Sequence, residues 1–227
     1  MTQVQKKDFV EIEYTGVIKE NEVVFDTTDE NKAKEADIHD PRTVYGPVVI
    51  VVGENHVLQG LDDELAGKET GQEYEVNIPA EKAFGKKDAS MLKLIPMKAF
   101  RNQQVRPVPG LQVNFDGVPG TVKTVTGGRV IVDFNHPLSG KEVVYKVKIN
   151  RKVEDVNEKL SSLLELMLNI DKKDMQISID ENNKAKVTIN KPAGAINEEA
   201  KKKIKDKVLG LIELEDLEIT LEESGNQ

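Results

Sequence analysis

Hydrophobic and polar positions change period along the chain, and the changes mark its elements. Phe9-Val10-Glu11-Ile12-Glu13-Tyr14 mixes apolar and acidic residues as a strand does. Val17-Ile18 and Val23-Val24-Phe25 flank the polar Lys19-Glu20-Asn21-Glu22, which predicts a hairpin. Residues 29–46 are polar, with Pro41 and Gly46, and read as a loop with room for a helical turn. Val48 to Val52 is a continuous apolar strand. After Gly53, Val57, Leu58, Leu61 and Leu65 recur at helical spacing, which predicts a short amphipathic helix from Glu54 to Leu65, ended by Gly67. Tyr74 to Ile78 alternates as a strand.

The middle of the chain has no long helical pattern. Four strand-like stretches, 91–96, 110–115, 120–125 and 129–134, are separated by Gly117-Val118-Pro119-Gly120 and Gly127-Gly128 turns. A further change follows. Val156, Leu160, Leu163, Leu164 and Met167 fall on one helical face. Met175, Ile177 and Ile179, then Ala185, Val187 and Ile189, alternate on either side of an Asn182-Asn183 turn. Ala200, Ile204, Val208, Leu211 and Ile212 make a second amphipathic helix with a Lys-rich outer face, and Leu217, Ile219 and Leu221 a last strand. The order there is α-β-β-α-β.

Charge sharpens these divisions. The 227 residues carry 32 basic and 40 acidic side chains, a net of −8. From Lys86 to Arg129 there are eight Lys or Arg against two Asp, a local excess of +6; from Val153 onward the balance is −6. A hydrophobic fraction of 38% with 32% charged residues favours several small cores over one large one. The predicted class is therefore α+β, in three parts: residues 1–86 with 132–152, an inserted β-domain at 87–131, and a C-terminal domain at 153–227.

Composition excludes whole classes of chemistry. With no Cys there is no disulfide framework, thiolate metal site or Cys nucleophile. The three His residues, His39, His56 and His136, are too scattered for a dense metal cluster. The five-residue run Val48–Val52 is far short of the roughly 20 apolar residues a bilayer span needs, and the polar start has no signal core. The expectation is a soluble, cytoplasmic protein with neither cofactor nor metal. P-loop, G-x-G-x-x-G, G-x-S-x-G and H-E-x-x-H patterns are absent from the sequence.

Local order takes the reading further. Val10-x-Ile12-x-Tyr14-Thr15-Gly16 leads to Val24-Phe25-Asp26-Thr27-Thr28. Next comes Val52-Gly53-x-x-x-Val57-Leu58-x-Gly60-Leu61-x-x-x-Leu65-x-Gly67-Lys68-x-x-Gly71-Gln72, then Ile78-Pro79-Ala80-Glu81-Lys82-Ala83-Phe84-Gly85. Asn135-His136-Pro137-Leu138-x-Gly140-Lys141 and Val143-Val144-Tyr145-Lys146-Val147 complete the series. In this order the stretches resemble the FKBP family of peptidyl-prolyl cis/trans isomerases, over residues 4–85 and about 132–152. The basic insert before Asn135 is similar to the SlyD type, and the C-terminal extension to its long archaeal form. The His/Cys-rich metal-binding tail of bacterial SlyD is absent, so nickel binding is not carried over.

The resemblance implies a half-barrel antiparallel sheet with a short helix, a flap domain that binds unfolded chains, and catalysis of X-Pro rotation. It implies a groove lined by Tyr14, Phe25, Asp26, Val57, Leu58, Leu61, Phe84 and Tyr145, with Tyr45 and Ile50 as additions. Leu58 would offer a backbone N–H to a substrate carbonyl, and Leu61 would floor the pocket where many relatives place Trp. Phe84 stands where relatives often have Tyr, which keeps the apolar wall and removes a hydroxyl. Asp26 would orient its neighbours; it is not assigned as a general base. On the insert, Met91, Leu92, Leu94, Ile95, Met97, Phe100, Val105 and Val108 are the candidate apolar contacts for unfolded polypeptide.

This residue set suits the chemistry. Rotating a prolyl bond breaks amide resonance against a barrier of about 20 kcal/mol, yet no bond is made or cut and no proton need move. A dry apolar groove disfavours the polar planar amide relative to the twisted one, and preorganised binding of the twisted form adds to this. Partners are therefore expected to be unfolded or partly folded polypeptides with X-Pro bonds, and a homodimer through the C-terminal domain. The alternative is a non-catalytic holdase on an FKBP-like scaffold. Nucleic-acid binding by the basic insert is disfavoured, because Phe100 and Phe115 are too few for a stacking platform and the net charge is negative.

Overall fold

The computed structural model describes residues 2–190 and 196–222. The chain forms two compact units, Met1–Ile78 with Val143–Gln227, and Pro79–Glu142. In chain order the first unit starts with β1 (Phe9–Ile18), β2 (Val24–Thr27), α1 (Glu30–Glu35), β3 (Val48–Val51), α2 (Gln59–Leu65) and β4 (Gln72–Ile78). The second unit holds β5 (Leu92–Pro96), α3 (Met97–Asn102), β6 (Gln112–Phe115), β7 (Val118–Thr126) and β8 (Arg129–Asp133). The chain then returns to the first unit with β9 (Val143–Lys152), α4 (Val156–Leu168), β10 (Met175–Ile179), β11 (Lys184–Asn190), α5 (Glu198–Leu211) and β12 (Asp216–Glu222). No helix among the described residues is long and apolar enough to cross a membrane.

The first unit is built on a five-stranded antiparallel sheet ordered β2-β1-β9-β4, with β3 paired to the first half of β1. Directly paired residues share a face. The pairs Ile12↔Ile149, Tyr14↔Val147 and Gly16↔Tyr145, with Val10↔Ile50 and Val76↔Tyr145, therefore define one apolar face. Phe9, Val49 and Val51 point to the other side, where they share a core with Leu160, Leu163 and Leu164 of α4 and Ile204 and Val208 of α5. The 153–227 segment thus packs on β1 and β3 within one unit. The physical reason is the run Val48–Val51, which is apolar on both faces and needs cover on both. Arg151 ties the junction by pairing with Glu11 at 2.8 Å and with Glu158 on α4. Lys152 meets Asp8 at 2.8 Å.

In this C-terminal part the order is α-β-β-α-β, and the sheet runs β10-β11-β12, with β11 antiparallel to β10 and parallel to β12. Asp155 and Asn197 cap α4 and α5 by accepting from the amides of Glu158 and Ala200, each at 2.8 Å. The Leu stripe of α4 is core, whereas Met167 at its end is exposed.

The second unit is a four-stranded sheet ordered β5-β8-β7-β6 around Phe100, Val122, Val130 and Val132. It is wider than the 87–131 insert. Its two ends are stitched together by the Gly140 amide on the Gly85 carbonyl at 2.7 Å, and by Asn135, which accepts from the Asp88 amide at 2.8 Å.

Two local expectations are corrected. The helix at 54–65 is only Gln59–Leu65. Gly53 and Asn55 are left-handed, with φ of 89° and 57°, and Asp62 turns the preceding chain back by accepting from both their amides at 2.8 Å. Phe100, read as an exposed contact of the insert, is fully buried on α3 as the centre of that unit's core. A helix of six residues is too short to show a period in the sequence.

Candidate functional site

The apolar face of the first sheet carries a cluster of aromatic rings around one carboxylate. Gly16 on β1 lies opposite Asp26 of β2 on one side and Tyr145 of β9 on the other. The Tyr145 hydroxyl donates to Asp26 Oδ2 at 3.1 Å, and the Tyr14 hydroxyl shares the same carboxylate. Tyr145 meets Tyr14 edge-on with ring centroids 5.5 Å apart, and Phe25 likewise at 5.8 Å and 88°. The cluster exists because Gly16 has no side chain: a Cβ there would stand 2.9 Å from Cζ of both Phe25 and Tyr145.

The electrostatics follow from burial. Desolvation pushes the Asp26 carboxyl above its ordinary value, and the hydroxyl donors pull part of the way back. Burial first, then the Asp26 charge, pushes both tyrosine hydroxyls well above the usual phenol range. Tyr14 and Tyr145 therefore keep their hydroxyl protons beside the Asp26 carboxyl. The polar atoms satisfy one another; Tyr145 is buried at 3% exposed, and the half-buried rings of Tyr14 and Phe25 are what the cluster offers to solvent. The cluster has no group poised to attack.

The remaining candidates divide by location. Val57 and Leu58 are half-buried on the turn between β3 and α2, and Leu58 is the residue at the start of the helix. The backbone carbonyl of Leu58 already accepts from Leu61 and Asp62. Leu61 is fully buried, as is Ile50, so both pack behind the surface rather than open onto it. Tyr45 stacks on His39 at 5.2 Å and accepts from the Asp40 amide at 3.0 Å. Phe84 belongs to the second unit, where its ring stacks on His136 at 4.9 Å and its carbonyl accepts from Ser139 at 3.1 Å. The structure thus brings together Tyr14, Phe25, Asp26 and Tyr145.

A cavity of about 560 Å³ in the first unit is lined by Glu13, Thr15, Glu73, Lys146 and Lys148 among others. Tyr14, Tyr45 and Val147 line it too, so charged side chains dominate a cavity that borders the aromatic cluster at Tyr14.

On the second unit, Leu92, Leu94 and Val108 are exposed, while Met91, Ile95, Met97 and Val105 are half-buried, the last three against the Phe100 core. Val118 and Ile131 are exposed as well. The pairing Leu94↔Ile131 sets these two side by side on the outer face of the sheet.

Sequence reasoning missed Gly16, Asp62 and Ile131. Gly16 closes the Tyr14-Thr15-Gly16 stretch. Asp62 is a buried acid among Leu58, Leu61 and Leu65, a charge on the apolar side of a helix. Ile131 alternates with the core residues Val130 and Val132.

The apolar face of an antiparallel sheet thus carries a largely buried aromatic–carboxylate cluster. The family model for FKBP-type peptidyl-prolyl cis-trans isomerase matches residues 1–100, and that for the FKBP26, IF domain matches residues 93–138. The short-type peptidyl-prolyl cis-trans isomerase of Methanocaldococcus jannaschii is 33% identical over 146 residues, 64% of this chain and 92% of its own. A probable FKBP-type 16 kDa isomerase of Pseudomonas fluorescens is 33% identical over 108 residues, 45% of this chain and 71% of its own. The isomerase SlyD of Treponema pallidum is 32% identical over 135 residues, 56% and 74% of the two chains. The chain belongs to the FKBP-type peptidyl-prolyl cis-trans isomerase family, on its SlyD-like side, and is a prolyl isomerase acting on polypeptides that contain proline.

Proposed function

We propose that prolyl rotation takes place on the surface built by Tyr14, Phe25, Asp26 and Tyr145, with Val57 and Leu58 as its rim and Leu61 behind it. The observation that carries this reading is the self-satisfied cluster: Tyr145 donates to Asp26 at 3.1 Å while its ring is met edge-on by Tyr14 and Phe25. A proline ring on these walls leaves water, and its amide loses the solvent that favours the planar form. Phe84 enters this reading from its motif, Ile78 to Gly85, rather than from geometry.

The second unit acts as a chaperone arm that holds unfolded chain. Leu92, Leu94 and Ile131 support this reading as exposed apolar side chains, two of them on an edge strand. Holding a chain there raises the local concentration of its X-Pro bonds. Pairing of two copies through the C-terminal strands, whose edges are β10 and β12, would give two such arms in one particle, and a monomeric mass in solution would remove that element. A cytoplasmic setting belongs to the same reading.

The direct test is turnover of a short X-Pro peptide by Phe25→Ala and Tyr145→Leu. Phe25→Ala removes apolar wall worth about 1.5–3 kcal/mol, so its kcat/KM should fall roughly tenfold or more. Tyr145→Leu removes the hydroxyl that donates to Asp26 and the ring that Tyr14 and Phe25 meet edge-on, and its kcat/KM should fall as well, with the far-UV circular dichroism unchanged in both. Full activity in both folded variants would move the reaction elsewhere.

A further inference from the structure

The turn between β3 and α2 is held from three directions. From α2, the buried Asp62 takes the amides of Gly53 and Asn55 at 2.8 Å each. From β3, the Val51 amide donates to His56 Nδ1 at 3.2 Å. The third hold comes from the C-terminal segment: Glu54, between the two amides that Asp62 fixes, pairs with Lys207 of α5, 153 residues further along the chain.

Lys207 is anchored by its neighbours. Ile204 and Val208 on the same helix are 5% and 0% exposed, in the core they share with Val49 and Val51. Val49 and Val51 belong to β3, the strand that runs into the turn. Both partners of the Glu54–Lys207 pair therefore ride on one packed core, and the turn between them leads directly to Val57 and Leu58. A surface that works by preorganised binding needs its rim fixed.

We propose that Lys207 is a positioning residue for prolyl isomerisation: through Glu54 it fixes the turn that presents Val57 and Leu58, and so makes the C-terminal segment part of the isomerase. The inference rests on the groove reading, because it requires Val57 and Leu58 to border the substrate. The pair is partly exposed, 38% at Lys207 and 21% at Glu54, so its effect is local: it limits how often the turn opens.

The test uses the full chain, with two readouts: kcat and KM on a short X-Pro peptide, and amide hydrogen exchange over residues 53–58. Lys207→Ala and Glu54→Ala should each lower kcat/KM roughly two- to fivefold, the range open to an exposed ion pair, mainly through KM. The double variant should lose no more than either single. Lys207→Arg should keep wild-type turnover, and exchange at Asn55 to Leu58 should quicken in both alanine variants. Lys203→Ala, which breaks the Lys203–Glu199 pair on the same helix, should leave both readouts unchanged. Wild-type kcat/KM in Lys207→Ala, or single losses that multiply in the double variant, would overturn the proposal. Phe25→Ala separates its failure from that of the groove. If Phe25→Ala abolishes turnover while Lys207→Ala only quickens exchange, the positioning role alone is lost. If neither affects turnover, the groove assignment fails first.

Discussion

Gly16 faces Tyr145 across the β1–β9 register, and a single added methyl would stand 2.9 Å from Cζ of that ring. The aromatic cluster is therefore shaped by a missing side chain as much as by the rings present. Gly16→Ala should displace Phe25 or Tyr145, cost about 1–3 kcal/mol as overpacking does, and lower peptide turnover by more than its effect on stability accounts for. Wild-type turnover with wild-type chemical denaturation would show that the rings have room to spare.

The Asp26 carboxyl is pushed above its ordinary value of 3.8 by burial, so the native state binds its proton more tightly than the unfolded chain does. That contribution to stability is fully present below pH 3.8 and is lost as pH rises through the higher native value. Asp26→Asn has no such proton. The stability of Asp26→Asn relative to wild type should therefore climb as pH rises from just below 4 towards neutrality, measured by urea midpoints at each pH. Parallel curves would mean that Asp26 is better solvated than its neighbours imply.

Asp62 supplies one carboxylate to two backbone amides, at 2.8 Å each, and is only 2% exposed. Asp62→Ala leaves two donors without their acceptor and should cost about 2–4 kcal/mol. Peptide turnover should fall with it, because Val57 and Leu58 follow from that turn. Thermal unfolding and turnover measured on the same sample check both parts.

The second unit packs Phe100 of α3 against the inward residues Val122, Val130 and Val132 of its sheet. Phe100→Ala empties the centre of a small core and should cost about 3–5 kcal/mol, seen as loss of protection from proteolysis within residues 79–142. Changing Leu94 or Ile131 to Ser should leave that protection intact, since both side chains face solvent.

Much of this was legible in the sequence, for reasons tied to particular residues. Strands such as β4 and β11 bury one face, so their alternation announces them. Tyr14, Phe25, Asp26 and Tyr145 come together through the register of β1 with β2 and β9. The turn at 53–58 was not legible: Val57, Leu58, Leu61 and Leu65 have helical spacing, but Asp62 reaches back and holds the first of them out of the helix. Phe100 reads as surface because α3 is too brief to show a stripe. The packing of α4 and α5 on β3 left one signal, a strand apolar on both faces, which demands a second cover without saying which segment supplies it.

The measurement that tests the central claim most directly is isomerisation on two substrates by the wild type and by Leu92→Ser/Leu94→Ser/Ile131→Ser. One substrate is a short X-Pro peptide; the other is an unfolded protein whose refolding waits on a prolyl bond. The account predicts that the variant keeps the wild-type rate on the peptide and loses most of its advantage on the protein. A parallel loss on both substrates, or an unchanged rate on both, would contradict the division of labour between a catalytic groove and a holding arm.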